Sequence, residues 1–264
     1  MKKFFVVGNP IQHSLSPQIH NHWIKKNNIN AIYEKKKLNL EELEKLVSEI
    51  KEKKIYGVNV TVPYKKDIIP YMDELSPESE STQSVNTIYL KNNKIIGHNT
   101  DIDGFELSIK KLKINLTNKK ILILGAGGVV PSIIFALNKM GVSEIIVTNR
   151  TKEKAEQLKL SFEKIRIVDW GELPEFHMII NATSIGLKRE DEVNLDFSNI
   201  GKDKFFYDVI YNPQLTRFLK AGKDLGHKTI NGKLMFIYQA HAAFKIWHNI
   251  YPEINDEVIN LLDV

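Results

Sequence analysis

Cysteine is absent from the 264-residue sequence, which excludes disulfide bonds and thiolate metal sites, and we expect no metal ion. Long apolar runs are also absent, because none approaches the roughly 20 residues that a membrane-spanning helix needs. The apolar patch at residues 4–7 follows two lysines but stops at Gly8, so it is shorter than the core of a secretory signal. We therefore expect a cytoplasmic protein whose first strand is buried.

Acidic residues are slightly outnumbered, since 32 Asp and Glu stand against 37 Lys and Arg, for a net charge of +5. Lysines and glutamates are mixed at helix-pair spacing in stretches such as EELEKLVSEIKEKK, which is typical of a solvated helix face. The excess positive charge would also attract small anionic ligands. We expect a small-molecule substrate, with neither nucleic acid nor a membrane as partner. The oligomeric state stays open between a monomer and a homodimer.

Short β-rich runs alternate with amphipathic runs along the whole chain, which predicts an α/β fold with parallel strands. In the first half, one helix is expected to follow Ser16 as its N-cap, and others to cover 40–53 and 103–112. Strands are expected in KKFFVVG, AIYEKKKL and YGVNVT. The asparagine pair at 92–93 predicts a turn between two further strands.

The second half contains NKKILILGAGGVVPSIIFALNKMGVSEIIVTNRT, which indicates a strand, a glycine turn, a helix and a second strand. Gly125, Gly127 and Gly128 lie directly between the first strand and the helix, and Val130 occupies the third glycine position of the usual fingerprint. Glycine lets the backbone approach a pyrophosphate, which then meets free N–H groups at the helix N-terminus. The segment predicts a Rossmann-type dinucleotide site; a plain tight turn is the alternative. Further strands are expected in FHMIINATS and KFFYDVIY.

The residues after the second strand of this segment favour NADP over NAD. An NAD enzyme usually carries an Asp or Glu about 20 residues past the glycines, where it holds the ribose hydroxyls. This chain has Asn149, Arg150 and Thr151 at that place, followed by Lys152 and Lys154. A guanidinium binds a 2′-phosphate through charge-assisted hydrogen bonds, whereas a carboxylate would repel it. A plain surface role for Arg150 is the alternative.

A set of motifs carries a resemblance to a known family. In chain order they are GNPIQHSLSPQIHN, NVTVPYK, SVNT, GHNTDIDG, GAGG, NRT, NATSIG, DVIYNPQLT and NGKLMFIYQA. In this order and spacing the chain resembles shikimate dehydrogenase. The resemblance implies reversible NADPH-dependent reduction of 3-dehydroshikimate to shikimate, a step of aromatic amino acid biosynthesis. It also implies an N-terminal α/β substrate domain and a Rossmann-type NADP-binding domain, with a cleft between them.

The resemblance also implies domain bounds and site residues. The substrate-binding domain is expected at 1–102, with C-terminal helices at 236–264 packing back on it, and the NADP-binding domain at 103–235. Lys65 and Asp101 match the catalytic pair. The expected substrate contacts are Ser14, Ser16, Thr61, Asn86, Asp101, Tyr211 and Gln239. The expected cofactor contacts are Gly125, Ala126, Gly127, Gly128, Val129, Asn149, Arg150, Thr151, Lys154, Val209 and Gly232.

The chemistry of ketone reduction fits a lysine and an aspartate. Reduction needs a hydride from the nicotinamide and a proton for the developing alkoxide. The Lys65 ammonium would stabilise the growing negative charge and supply the proton, and the Asp101 carboxylate would hold that ammonium in place. For the polar substrate contacts, local hydrogen bonding to the backbone is the alternative role. His13 and His20 are expected to be structural.

The sequence departs from the family pattern at two positions. Gln83 replaces a glycine just ahead of Asn86, and Leu234 replaces a glycine in NGKLMF. Asp103 is expected to be the N-cap of the helix at 103–112.

Three alternative functions are compatible with parts of this sequence. The first is a quinate/shikimate dehydrogenase that uses NAD, and the second is another two-domain Rossmann enzyme with a catalytic lysine, such as methylenetetrahydrofolate dehydrogenase. The third is a non-catalytic NADP sensor or nucleic-acid binder. Such a protein would keep the glycine turn but would have no need for Lys65 and Asp101 together.

Overall fold

The structure is a computed structural model that describes residues 1–188 and 190–263. The chain divides into two compact units. Unit 1 comprises Met1–Gly104 and the segment that begins at Ile237, and unit 2 comprises Phe105–Phe236. Within the described residues, each unit contains one six-stranded sheet.

Unit 1 begins with parallel strands and continues with an antiparallel hairpin. Its elements are β1 (Lys2–Gly8), α1 (Ser16–Lys26), β2 (Ala31–Lys37), α2 (Leu43–Lys51), β3 (Gly57–Val60), β4 (Glu74–Leu75), α3 (Pro77–Thr82), β5 (Thr87–Lys91), β6 (Lys94–His98) and the start of α4 (Asp101–Lys111). The strand order is β2-β1-β3-β5-β6-β4. Strand β1 pairs in parallel with β2 and β3, whereas β5 is antiparallel to β3 and β6.

Unit 2 has a sheet in which every pair of neighbouring strands is parallel. Its further elements are β7 (Lys120–Leu124), α5 (Val130–Lys139), β8 (Glu144–Thr148), α6 (Lys152–Gln157), β9 (Arg166–Val168), β10 (Met178–Asn181), β11 (Phe205–Asp208), α7 (Arg217–Asp224), β12 (Lys228–Ile230) and the start of α8 (Lys233–His248). The strand order is β12-β11-β10-β7-β8-β9. Four consecutive β7 residues, 121–124, are fully buried, as expected for a parallel strand covered on both faces. The predicted α/β class with a Rossmann-type unit is confirmed.

The second half of α8 and the short helix α9 (Asp256–Asn260) belong to unit 1. The Trp247 indole in α8 donates a hydrogen bond to the carbonyl of Ile88 at 3.2 Å. Its ring lies directly over Gly57, so that a Cβ at position 57 would overlap the indole. Glycine at this position therefore lets α8 lie close to strand β3.

Two predicted N-caps are wrong. Helix α1 includes Ser16 as its first residue, and the backbone N–H of Ser16 donates to Ser14 Oγ at 3.3 Å. Helix α4 begins at Asp101, where the backbone N–H donates to the side chain of Asn99 at 3.1 Å. Because the helix begins at Asp101, Asp103 lies inside the first turn and is not its N-cap.

The hairpin turn between β5 and β6 confirms the prediction from the asparagine pair. Asn92 and Asn93 have φ values of +51° and +59°, the left-handed conformations that a two-residue hairpin turn requires. The helix expected at 40–53 is shorter, since α2 covers Leu43–Lys51 after a 3-10 turn at Leu40–Glu42. Across the described residues, the longest apolar helices fall short of what a bilayer crossing requires. The same residues contain no cluster of three or more metal-ligating side chains.

Candidate active site

The centre of the candidate site in unit 1 is an ion pair between Lys65 and Asp101. The Lys65 ammonium donates a hydrogen bond to Asp101 Oδ2, and the two side chains are only 12% and 9% exposed. Lys65 lies in the turn that follows β3 and Pro63, and its carbonyl accepts a hydrogen bond from the Val85 N–H at 2.8 Å. Asp101 is the first residue of α4. The structure thus brings together two residues that are 36 positions apart in the chain.

Asn86 supports the other oxygen of the Asp101 carboxylate. Its amide nitrogen donates to Asp101 Oδ1 at 2.8 Å, and its amide oxygen accepts from the Thr100 N–H, also at 2.8 Å. Asn86 is only 3% exposed. Just ahead of it, Gln83 ends α3 with a left-handed φ of +47°, a conformation that a glycine would adopt without strain. The replacement of the family's glycine therefore leaves Asn86 in a hydrogen-bonded position.

Buried polar side chains extend from Asn86 into the sheet. Thr87 Oγ1 donates to Asn86 Oδ1 at 2.9 Å and accepts from Asn59 Nδ2 at 3.0 Å. Asn59 Oδ1 in turn accepts from the Tyr33 hydroxyl at 2.7 Å. The candidate residues proposed from the sequence do not include Tyr33 or Thr87. Their signal was a polar side chain in otherwise apolar, buried strands, which does not by itself identify a site.

The remaining candidate substrate residues of unit 1 lie in α1, after β3 and in α8. The Ser14 hydroxyl is 3.1 Å from that of Ser16, which is buried, and Ser16 also makes a side-chain hydrogen bond with Tyr33. Thr61 is half-buried, and within the described residues its hydroxyl has no hydrogen-bond partner. Gln239 is half-buried in α8. Hydroxyl and amide groups such as these can hydrogen-bond the hydroxyls and carboxylate of a polyol acid.

The two histidines near α1 have no place in this network. His13 is exposed. His20 is fully buried, with its ring stacked on that of Tyr33 at a centroid distance of 4.2 Å. Burial lowers the pKa of His20 to about 3, so its imidazole is neutral at physiological pH.

In unit 2 the glycine turn connects β7 to the N-terminus of α5. Gly125 has a φ of +111°, and a Cβ at this position would lie 3.0 Å from the carbonyl oxygen of Ala182. Gly127 and Gly128 are exposed, and Ala126 and Val129 are half-buried. The turn therefore leaves an open backbone surface in front of a helix N-terminus, which fits a pyrophosphate group.

The cationic residues after β8 differ in their partners. Lys152 pairs with Asp169 at 2.6 Å. Arg150 and Lys154 are exposed, and neither has an ion-pair partner within the described residues. The Asn149 side chain donates to the carbonyl of Thr151 at 2.7 Å and so closes the loop between them. The residues present fit a phosphate-bearing ribose.

Val209 and Gly232 lie against each other at the end of β11. A Cβ on Gly232 would overlap the carbonyl oxygen of Val209, and the Gly232 N–H donates to the Ile210 carbonyl at 3.0 Å. Only glycine allows this close approach of the two backbone segments. Nearby, the ring of Tyr211 stacks on that of Phe236 at a centroid distance of 4.3 Å.

Asp208, which was not predicted from the sequence, fixes the start of the segment that contains Val209 and Tyr211. Its carboxylate accepts hydrogen bonds from the Ile210 N–H at 3.0 Å, from the Thr216 hydroxyl at 2.6 Å and from the Asn181 amide at 3.1 Å. The residue is fully buried, and this burial raises the pKa of Asp208 to about 6. The signal available in the sequence was a lone acidic residue at the end of the apolar run KFFYDVI.

The fold and the two sites together define a class of protein: an α/β enzyme with a Rossmann-type nucleotide-binding unit and a buried lysine–aspartate pair in a second unit. Residues 6–88 match the family model described as the shikimate dehydrogenase substrate binding domain. Residues 106–195 match the family model described as shikimate / quinate 5-dehydrogenase. The chain belongs to the shikimate dehydrogenase family.

Individual relatives agree with this assignment. A protein of Pelagibacter ubique (strain HTCC1062) named shikimate dehydrogenase (NADP(+)) is 61% identical and is matched over 100% of this chain and 99% of its own length. The crystal structure of Thermus thermophilus shikimate 5-dehydrogenase in complex with NADP(H) and shikimate superposes with a TM-score of 0.90 at 31% identity, covering 100% of this chain and 99% of that one. The shikimate 5-dehydrogenase of Listeria monocytogenes in complex with shikimate and NAD gives 0.88 at 28% identity, covering 100% and 95%.

Proposed function

We propose that this chain catalyses the reversible, NADP-dependent reduction of 3-dehydroshikimate to shikimate, a step of aromatic amino acid biosynthesis. The observation that carries the proposal is the largely enclosed ion pair of Lys65 and Asp101, because an ammonium fixed by a carboxylate is the group that a ketone reduction needs. The high identity to a relative named shikimate dehydrogenase (NADP(+)) supports the same reaction.

The proton transfer is assigned to Lys65. NADPH, when bound, supplies the hydride that reduces the carbonyl carbon of the substrate. The Lys65 ammonium donates a proton to the carbonyl oxygen as negative charge develops on it, and the neutral amine takes a proton back in the oxidation direction. Asp101 holds the ammonium through Oδ2, and Asn86 orients the carboxylate through Oδ1. Catalysis therefore depends on a lysine whose position is fixed before the substrate binds.

The substrate is assigned to polar side chains that the resemblance implies. Ser14, Ser16 and Thr61 would hydrogen-bond its hydroxyls and carboxylate, and the side chains of Asn86, Tyr211 and Gln239 would complete the set. These assignments correspond to a substrate-binding domain at 1–102 with 236–264, as expected from the sequence. The hydroxyl of Thr61, without a hydrogen-bond partner in the described part of the chain, supports a ligand-binding role.

The cofactor is assigned to unit 2, which corresponds to the expected NADP-binding domain at 103–235. The backbone at 125–129 would hold the pyrophosphate, with Val209 and Gly232 at the nicotinamide end. Arg150 and Lys154, with Asn149 and Thr151, would bind the 2′-phosphate, which NAD lacks. Two exposed cations without ion-pair partners in the described residues support this preference, because a 2′-phosphate would provide their counter-charge.

The site chemistry implies only small molecules as partners. We expect the enzyme to work in the cytoplasm, where a protein without cysteine is indifferent to the reducing conditions. We expect it to act as a monomer or a homodimer, without nucleic acid or a membrane.

The test is a steady-state assay of the native chain with both substrates and both nucleotides. We expect nucleotide reduction to be fastest with shikimate and NADP. Quinate or NAD as the preferred reactant would instead support a quinate/shikimate dehydrogenase that uses NAD. No nucleotide reduction with either acid, from a chain that binds NADP, would support a non-catalytic sensor and would refute the proposed function.

A further inference from the structure

We propose that Tyr33 is a positioning residue for the ion pair of Lys65 and Asp101. It reaches the pair through a hydrogen-bonded chain of three buried side chains, those of Asn59, Thr87 and Asn86. The proposal rests on the proposed function, because its effect is read from the turnover of shikimate. It assigns a role to a residue that lies on β2, far in sequence from both members of the pair.

Tyr33 itself is held firmly in place. Its side chain is 1% exposed. Its backbone makes two hydrogen bonds with the side-chain amide of Asn21, which donates to the Tyr33 carbonyl at 2.8 Å and accepts from the Tyr33 N–H at 2.9 Å. The ring of His20 stacks on the Tyr33 ring with an interplanar angle of 3°. Burial raises the pKa of Tyr33 well above its ordinary value, so the hydroxyl keeps its proton at any working pH.

The protonated hydroxyl of Tyr33 sets the orientation of the Asn59 amide. The hydroxyl donates to an acceptor on Asn59 at 2.7 Å, which must be the amide oxygen Oδ1. The amide nitrogen therefore points the other way, where it donates to Thr87 Oγ1 at 3.0 Å and to the carbonyl of Asn86 at 3.1 Å. All of these atoms are buried, so water cannot replace a missing partner without cost.

The hydroxyl of Thr87 connects the Asn59 amide to the Asn86 amide by hydrogen bonds. A threonine hydroxyl has one proton, and because Thr87 accepts from Asn59 it donates to Asn86 Oδ1 at 2.9 Å, the shorter of its two remaining contacts; the other is to the Thr100 hydroxyl at 3.2 Å. The oxygen side of the Asn86 amide therefore faces the sheet, and its nitrogen faces Asp101 Oδ1 at 2.8 Å. The second carboxylate oxygen, Oδ2, is then left for the lysine.

Every bond in this chain contributes to one fixed arrangement between the phenol and the carboxylate. Hydrogen bonds connected in this way polarise one another, and a change at one end is felt at the other. Without the Tyr33 hydroxyl, Asn59 Oδ1 would lose its donor, and the amide would be held only by the two bonds of its nitrogen, to Thr87 Oγ1 and to the Asn86 carbonyl. The Thr87 hydroxyl would then be less firmly oriented and free to direct its proton to Thr100 Oγ1, 3.2 Å away, which would leave Asn86 Oδ1 with only its two bonds from the N–H and the hydroxyl of Thr100.

The test begins with Tyr33→Phe, which removes only the hydroxyl. We expect kcat for shikimate oxidation to fall about tenfold, less than the roughly hundredfold that a misplacement of about 1 Å can cost. The KM for NADP should change by less than about twofold, because the groups proposed to contact it remain, whereas the KM for shikimate also reports the lost hydrogen bond between Tyr33 and Ser16.

Tyr207→Phe is the matched control. Tyr207 is also fully buried and its hydroxyl lies 3.1 Å from that of Ser108, but within the described residues it has no link to the chain of side chains that begins at Tyr33. The control should lower the melting temperature without lowering kcat. A tenfold loss of kcat in this control as well would overturn the proposal, since it would show a general effect of removing a buried phenol.

A double-mutant cycle with Asn86→Ala separates positioning from general stability. If Tyr33 acts through Asn86, Tyr33→Phe should leave kcat unchanged in the Asn86→Ala background while still lowering the melting temperature. An equal loss of kcat in both backgrounds, or no loss in the native background, would overturn the positioning role alone. A native chain that does not oxidise shikimate would overturn the proposed function and this role with it.

Discussion

Because the carboxyl group of Asp208 is buried, it should make the protein less stable as the pH rises. An exposed aspartate would not have this effect. The carboxyl group lies at the end of β11 and is fully buried, with donors from Ile210, Thr216 and Asn181 around it. Burial outweighs these donors and raises its pKa from 3.8 to about 6. Asp208→Asn replaces the group with a neutral side chain of the same shape.

The sign follows from the number of protons bound. Between the unfolded and the folded pKa of Asp208, the folded chain binds more protons, so stability falls as the pH rises. A shift from 3.8 to about 6 corresponds to about 3 kcal/mol, at roughly 1.4 kcal/mol per pH unit. The contribution is fully present below the unfolded pKa and is lost as the pH rises through about 6, and about 2 kcal/mol of it falls between about pH 4.5 and 7.5.

The assay is urea unfolding of the native chain and of Asp208→Asn across this pH range. The difference in unfolding free energy, native minus variant, should decrease by about 2 kcal/mol from about pH 4.5 to 7.5. Because the other titrating groups are common to both proteins, they cancel in the difference. Two curves that stay parallel, or a difference that grows with pH, would refute the reasoning about Asp208.

Three further substitutions test other parts of the structure. Arg150→Ala should raise the KM for NADP by about tenfold or more and leave the KM for NAD unchanged, because a charge-assisted hydrogen bond contributes roughly 1.5–3 kcal/mol. An equal effect on both nucleotides in steady-state assays would contradict this. Gln83→Gly should stabilise the protein by about 1 kcal/mol in urea unfolding, since a side chain in the left-handed region costs that much, and a loss of stability would argue otherwise. Gly57→Ala should destabilise by about 1–3 kcal/mol, because its Cβ would overlap the indole of Trp247, and an unchanged urea midpoint would mean that α8 can move aside.

The elements that could be predicted from the sequence are those with strong local patterns. The buried strand β7, the glycine turn and α5 follow from an apolar run, three glycines and an amphipathic run. The hairpin turn follows from Asn92 and Asn93. Helix α3 was missed because its sequence PESEST, with Ser76 as N-cap, has the composition of a loop. The edge strands β9 and β12 are three residues long, too short to show a period.

Only part of the candidate site could be predicted from the sequence, and the reason is different. Lys65, Asp101 and Asn86 carry polar groups in motifs that resemble a known family, so they could be named in advance. Tyr33 on β2 and Asn59 on β3 are separated by one strand, because the strand order is β2-β1-β3. Their side chains meet across β1. Residue Phe4 of β1 pairs with Tyr33, and Val6 pairs with Asn59, so the phenol reaches across one strand. Strand order and side-chain reach are properties of the folded sheet and are not encoded in local pattern.

The comparison of Lys65→Ala with Lys66→Ala tests the central claim, that one ammonium supplies the proton. Both changes remove a lysine from the same turn, but Lys65 is paired with Asp101 and its side chain is only 12% exposed, whereas Lys66 is exposed. With both variants shown to be folded by their melting curves, kcat for shikimate oxidation should fall by about 10² to 10⁴ in Lys65→Ala and stay within about twofold of native in Lys66→Ala. A Lys65→Ala enzyme that keeps most of its turnover would contradict the account.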